Sequence, residues 1–175
     1  TMHEFIEERR TRKRLKKLKG AVSQGPQVAR KAGKGNAYQV TKTGFRPDIG
    51  ILVRSSWEAN VIRVLEVHGI AWEYEPRMLT YPVKRGTKAY VPDIYLPATN
   101  EWIEVKGYLD TRSKTKLKRF KLYYPEEFAN LTMIVSKYSK VCREFTEAIQ
   151  VPNVVYYEEL ARSYKLMLGT HWQGK

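Results

Sequence analysis

Cysteine is nearly absent. Cys142 is the only one in 175 residues, so no internal disulfide can form, and the expected compartment is a reducing cytoplasm, the host's own if the chain is phage-encoded. Long apolar runs are also missing. None approaches the ~20 residues a membrane-spanning helix needs, and no apolar leader core opens the chain. Thr1 ahead of Met2 reads as a remnant of cloning. Histidine is sparse, and His3, His68 and His171, scattered along the chain beside a lone cysteine, compose no readable zinc ligand set. Acidic residues are in deficit: 18 Asp and Glu face 32 Lys and Arg, for a net charge of +14 and a pI near 9.8. A surplus of that size points to a polyanionic partner, nucleic acid before any other, with a well-solvated basic protein as the plain alternative. There is no internal repeat and no low-complexity tract. The length suffices for one domain with a real core plus an appendage.

The charge is unevenly spread. Residues 1–50 carry 13 Lys and Arg against 4 Asp and Glu, a difference of +9. Residues 2–19 suit a helix whose early acids and later bases complement its dipole. Residues 20–50 hold Gly20, Gly25, Pro26, Gly33, Gly35, Gly44, Pro47 and Gly50 and read as a flexible arm. That arm could clasp DNA and order on binding; a solvated tail, or a helix packed on a dimer partner, is the other reading. The folded domain is expected over 51–170. The dipeptide Pro47-Asp48 mimics Pro92-Asp93 further on, but no Glu-x-Lys follows it, so it reads as a turn.

The stretch Tyr90 to Gly107, YVPDIYLPATNEWIEVKG, carries the chemistry. It reads as two strands joined by the turn Pro97-Ala-Thr-Asn. Pairing Leu96 with Glu101 sets Asp93 opposite Glu104, with Trp102, Glu104 and Lys106 on one face and Ile103 and Val105 on the other. Two carboxylates directly opposite on a sheet repel, so something positive must compensate: Lys106, a bound cation, or both. Two converging acids suit a hard divalent ion such as Mg2+, with Mn2+ as a substitute. A neighbouring lysine can hold a water, a hydroxide or a phosphate oxygen, and these are the parts of metal-assisted phosphodiester hydrolysis. Pro92 cannot donate to a ladder, so it marks an edge position or a bulge, and a bulge would shift the register by one.

The flanking segments fit around this hairpin. Ser55 and Ser56 are N-cap candidates for a helix ending at Gly69. On it, Trp57, Val61, Val64, Leu65 and His68 share a face, Glu58 falls inside the apolar arc, and Arg63 and Glu66 fall outside. A carboxylate aimed at a core needs a partner: Glu58 is either a third acid reaching Asp93 and Glu104, or a first-turn acid favoured by the helix dipole. His68 reads as a helix-end residue and Cys142 as a packing residue. Strands are expected at 70–75 and 78–83, the latter turning at Lys84-Arg85-Gly86-Thr87 into the strand that carries Asp93. Residues 111–121, TRSKTKLKRFK, hold six bases and no acid, with Leu117, Phe120 and Tyr124 as the inner stripe. Arg112, Lys116 and Arg119 share a face, and with Lys114, Lys118 and the earlier Arg54 they are candidate phosphate contacts; a solvated helix face is the alternative. A strand at 131–135, a helix at 141–150, a strand at 153–157 and a helix at 158–168 complete an α/β (α+β) domain with a mixed sheet.

This order of helix, antiparallel strands, helix and strand, with Pro92-Asp93, ten residues and then Glu104-Val105-Lys106, resembles the PD-(D/E)XK nuclease superfamily, the restriction-endonuclease-like fold. Ser55-Ser56-Trp57-Glu58 matches the Ser-x-x-Glu element ahead of it, and the resemblance covers roughly residues 51–157. The chain is similar to small phage or mobile-element nucleases, among them junction resolvases of the endonuclease I type, homing endonucleases and transposon-end-cutting nucleases. The resemblance implies Asp93 and Glu104 as metal ligands, the Val105 carbonyl as a further ligand, Glu58 as a ligand directly or through water, and Lys106 as the group that orients the attacking water. It implies an Mg2+-dependent endonuclease acting on duplex or branched DNA. A double-strand cut implies a homodimer, and a targeting protein is a possible partner. The competing readings are a non-catalytic nucleic-acid-binding module on the same fold and an RNA-processing nuclease, whose unpaired bases the many Tyr and Trp side chains could stack.

Overall fold

The computed structural model describes residues 43–174. The helix expected over 2–19 and the arm up to residue 42 lie outside the described residues. Strand β1 (Gly44–Arg46) pairs antiparallel with β2 (Ile51–Val53) across the Pro47–Gly50 turn. Folded structure therefore begins ahead of residue 51, and residues 44–50 belong to a hairpin rather than to the expected arm. Its apolar residues Ile49, Ile51 and Val53 are buried, which is what holds the hairpin against the domain.

Helix α1 (Ser56–Val67) follows, then β3 (Glu73–Tyr74), β4 (Leu79–Pro82), β5 (Thr87–Tyr90), β6 (Ile94–Leu96) and β7 (Glu101–Lys106). Next come α2 (Thr111–Tyr123), α3 (Pro125–Ala129), β8 (Leu131–Val135), α4 (Lys140–Ala148), β9 (Asn153–Tyr156) and α5 (Tyr157–Leu168), with a 3-10 turn at Gly169–His171. Five strands form the central sheet in the order β3-β6-β7-β8-β9. The first two pairings are antiparallel and the last two parallel, the mixed α/β arrangement expected. The β4–β5 hairpin is a separate two-stranded unit.

The alternation along β7 divides the interior. Ile103 and Val105 join α1, β2, Ile134, Tyr157 and Trp172 in one apolar cluster. Trp102, Met133 and Val135 join Leu117 and Phe120 of α2, Phe128 of α3, Cys142 and Phe145 of α4, and Tyr81 and Tyr90 of the β4–β5 hairpin in another. Each face of the sheet thus has its own core, and β7 in the middle is buried on both sides. Cys142 is a free, fully buried packing residue, as expected. Gly69 takes φ 62°, ending the helical turn where an L side chain would be strained.

Two expectations about local structure are corrected. The strand foreseen from Lys88 through Asp93 is broken: β5 ends at Tyr90 in one sheet and β6 begins at Ile94 in another. Pro92, which has no N–H to give a ladder, lies in the break. The register after it is the expected one, with Ile94 opposite Ile103, Tyr95 opposite Trp102 and Leu96 opposite Glu101. Arg63, placed outside the apolar arc by helical periodicity, is only 3% exposed. Its Nε and Nη2 bond both oxygens of Asp48 at 2.6 and 3.0 Å, and Nη1 bonds Asn60. The β1–β2 turn brings Asp48 over that side of α1, so a residue that would face solvent on an isolated helix is covered. The strand foreseen at 70–75 shortens to its last part, and Met78 stays half-exposed outside β4.

Candidate active site

Asp93 sits one residue ahead of β6, and Glu104 and Lys106 sit on β7, so adjacent antiparallel strands bring the three together. Asp93 and Glu104 are 4% and 2% exposed. Lys106 Nζ lies 2.8 Å from Glu104 Oε1 and 3.7 Å from Asp93 Oδ2. The backbone N–H of Val105 donates to Asp93 Oδ2 at 2.7 Å. Among the described residues both contacts of the Asp93 carboxylate go through Oδ2, which leaves Oδ1 open to another ligand. Glu104 Oε2 accepts from the Tyr90 hydroxyl at 2.7 Å.

The charge balance of this group is the chief electrostatic fact. Burial, then the neighbouring charge of Glu104, pushes the Asp93 carboxyl well above the usual carboxylate range, and Lys106 offsets only part of that. Burial pulls the Lys106 ammonium down, but Asp93 and Glu104 outweigh it and hold the lysine charged above its ordinary range. Tyr90, sealed in and facing two carboxylates, is raised far enough to remain a donor. One lysine thus serves two buried carboxyl groups, and Asp93 favours its protonated form until further positive charge reaches it.

Glu58 arrives from α1. Ser55 caps that helix by accepting from the Glu58 N–H at 3.1 Å, and its hydroxyl donates to Glu58 Oε1 at 2.8 Å. The Tyr74 hydroxyl and the Arg54 N–H donate to Oε2 at 2.6 and 3.2 Å. Glu58 is 5% exposed, and its charge reaches both Asp93 and Lys106. Even so, no group of three or more His, Cys, Asp or Glu side chains able to hold a metal occurs among the described residues. Asp93 and Glu104 form a pair, and Glu58 faces that pair from its own set of hydrogen bonds. Their hard oxygen donors, their burial and the shortage of positive charge that raises Asp93 fit a divalent cation held by two carboxylates with a main-chain carbonyl such as that of Val105. They do not fit a cage of three side-chain ligands.

A cavity of about 520 Å3 opens beside this group. Glu58, Val105 and Lys106 line it, and Asp93 and Glu104 reach it through their contacts with Lys106. Helix α2 starts at the same place, capped by Asp110, whose carboxylate accepts from the Ser113 N–H and is held below its usual range by that bond. Of the candidate phosphate contacts on α2, Arg112, Lys116 and Lys118 are exposed and Arg119 half-buried. Lys114 is half-buried with its ammonium over the Phe145 ring. Arg54 is largely exposed and paired with Glu75 at 2.8 Å.

The two tyrosine hydroxyls that hold the carboxylates were not foreseen. Tyr90 stood only as a strand-favouring residue. The available signal was chemical: a buried tyrosine hydroxyl needs a partner, and acids follow Tyr90 at 93 and Tyr74 at 75, but neither spacing names the actual acceptor. His68 ends its helix as expected, against the Tyr164 hydroxyl. No helix among the described residues is long and apolar enough to cross a membrane. Compared with family models, curated proteins and solved structures, the chain matches none.

Proposed function

We propose that this chain is a metal-dependent DNA endonuclease with a restriction-endonuclease-like core of the PD-(D/E)XK type. The observation that carries the reading is the meeting of two buried carboxylates on one lysine, at the wall of a cavity from whose rim a basic helix departs. Asp93, Glu104 and the Val105 carbonyl would hold Mg2+ or Mn2+, which supplies a polarised water and positive charge at the scissile phosphate. Lys106 orients the water for in-line attack and faces the negative charge that develops on phosphorus. Tyr90 and the Val105 N–H fix the two carboxylates before substrate arrives. Glu58, fixed by Ser55 and Tyr74, closes the far side. The exposed bases of α2 follow the phosphate backbone away from the cut. A phage or mobile-element nuclease of junction-resolvase or homing type, working as a homodimer with a targeting protein, fits the strong positive charge of the chain.

The test is a cleavage panel of supercoiled, linear, nicked, flapped and four-way-junction DNA and structured RNA, each with Mg2+, Mn2+ or EDTA. Cleavage of DNA with either metal and none with EDTA is expected. Asp93→Asn or Lys106→Met lowers it at least about 100-fold while binding survives. If every DNA form stays intact with both metals, the proposal fails. One observation favours a second reading, a binding module without chemistry: both oxygens of Glu104 already have partners within the protein. That reading expects salt-sensitive DNA binding that neither metal nor Glu104→Gln alters.

A further inference from the structure

The cavity beside Lys106 has walls that a phosphate-binding groove would not have. Two carboxylates, Glu58 and Asp110, line it, and so do two aromatic rings, Trp57 and Tyr108. The carboxylates repel a phosphate and accept hydrogen bonds from an N–H donor. Trp57 is rigid, its ring stacked on Tyr157 with centroids 3.7 Å apart and planes 6° from parallel. Tyr108 is 60% exposed, a free ring at the mouth two residues beyond Lys106. Gly107 keeps the space beside Trp57 open, since a Cβ there would lie 3.4 Å from Trp57 Cζ3. The volume, about 520 Å3, lies within the ~300–1,000 Å3 of pockets that take a drug-sized molecule, and one nucleoside is of that size.

We infer that this cavity takes a single unpaired nucleobase, its backbone phosphate at Lys106 and its ring against Trp57 and Tyr108. Amino-bearing bases suit the carboxylate walls best. A base leaves a duplex most cheaply where it is already unpaired, so the favoured substrate is DNA with a bulge, mismatch or branch beside the cut rather than perfect duplex. The inference rests on the nuclease reading only in placing a phosphate at Lys106.

The experiment measures dissociation constants in EDTA, where no cleavage occurs, by fluorescence anisotropy with the full chain. Three duplexes share one sequence: one has a single bulged adenine, one an abasic bulge at the same place, and one is fully paired. The abasic bulge has the same break in the helix but no ring, so the comparison isolates the base. The expected result is about tenfold tighter binding of the bulged adenine than of the abasic bulge. Tyr108→Ala should erase that difference and leave the paired duplex unchanged, and Tyr108→Phe should keep it. Gly107→Val, at a position without positive φ, should erase it by filling the space beside Trp57; if that variant does not fold, the exposed Tyr108 pair decides alone. Equal binding of the two bulges by the unaltered chain, or an equal loss on all three duplexes in Tyr108→Ala, overturns the inference. Metal-dependent cleavage without any preference for the base would overturn this inference and leave the nuclease reading intact. A base preference without cleavage would do the reverse.

Discussion

At the scale of single residues, buried charge dominates, and two clusters handle it differently. Arg63 and Asp48 cancel one another, with Asn60 taking a further guanidinium N–H. Arg63 lowers Asp48 below the usual carboxylate range. The folded-state pKa of Asp48 therefore lies under the unfolded value of about 3.9. Its contribution to stability is complete above that value and fades as the pH falls through the folded one. Asp48→Asn removes the contribution and leaves the buried Arg63 without its counter-charge; because Asp48 itself reaches solvent, the loss is about 1 kcal/mol at neutral pH. The melting temperatures of the two proteins should differ most near pH 7 and converge below pH ~4. A gap that stays constant from pH 7 to pH 2 would contradict this account. The other cluster sets two carboxyl groups against the single Lys106, and the imbalance, which lifts Asp93 above the usual carboxylate range, separates a candidate site from a structural ion pair. Both aspartates follow a proline, so the dipeptide alone does not distinguish them; the Glu-x-Lys on the next strand does.

At the scale of elements, the N-terminus of α1 serves two purposes. Ser55 both caps the helix and holds Glu58, so one hydroxyl ties helix stability to the candidate site. Ser55→Ala should cost about 1 kcal/mol in urea denaturation, the usual price of a lost cap. It should also lower cleavage beyond what that destabilisation explains, because Glu58 keeps only Tyr74 and the Arg54 N–H. Ser55→Thr, which can cap equally, should restore both. Loss of stability with unchanged cleavage would detach Glu58 from the chemistry. The break between β5 and β6 matters in the same way. It lets Tyr90 belong to the β4–β5 hairpin while its hydroxyl reaches Glu104 on the central sheet, so the hairpin is pinned to the candidate site by one hydrogen bond.

At the scale of the whole molecule, the chain's last described residues complete the first core. Trp172 is 7% exposed and packs with Tyr157, whose hydroxyl accepts from Asn60 at 2.7 Å. Gln173 exchanges two backbone hydrogen bonds with the Asn60 side chain. Burial raises the Tyr157 hydroxyl to about 12, so it stays protonated in this role. Trp172→Ala should cost about 3 kcal/mol by cavity formation, read from the urea midpoint. A shift under ~1 kcal/mol would mean the segment is dispensable to the fold.

The sequence by itself determined the local matters, since each depends on residues close in the chain. Apolar alternation set the strands and their faces. Ser55 set the start of α1, and the turn at 97–100 set the register that pairs Leu96 with Glu101 and so brings Asp93 to Glu104. The tertiary structure alone decided what covers what. It placed Asp48 over Arg63, turned residues 44–50 from expected arm into hairpin, and gave Glu58 and Glu104 tyrosine partners 16 and 14 residues away. Periodicity reports which side of an element a residue occupies; whether that side meets water, a core or a carboxylate is settled only when distant segments pack against it.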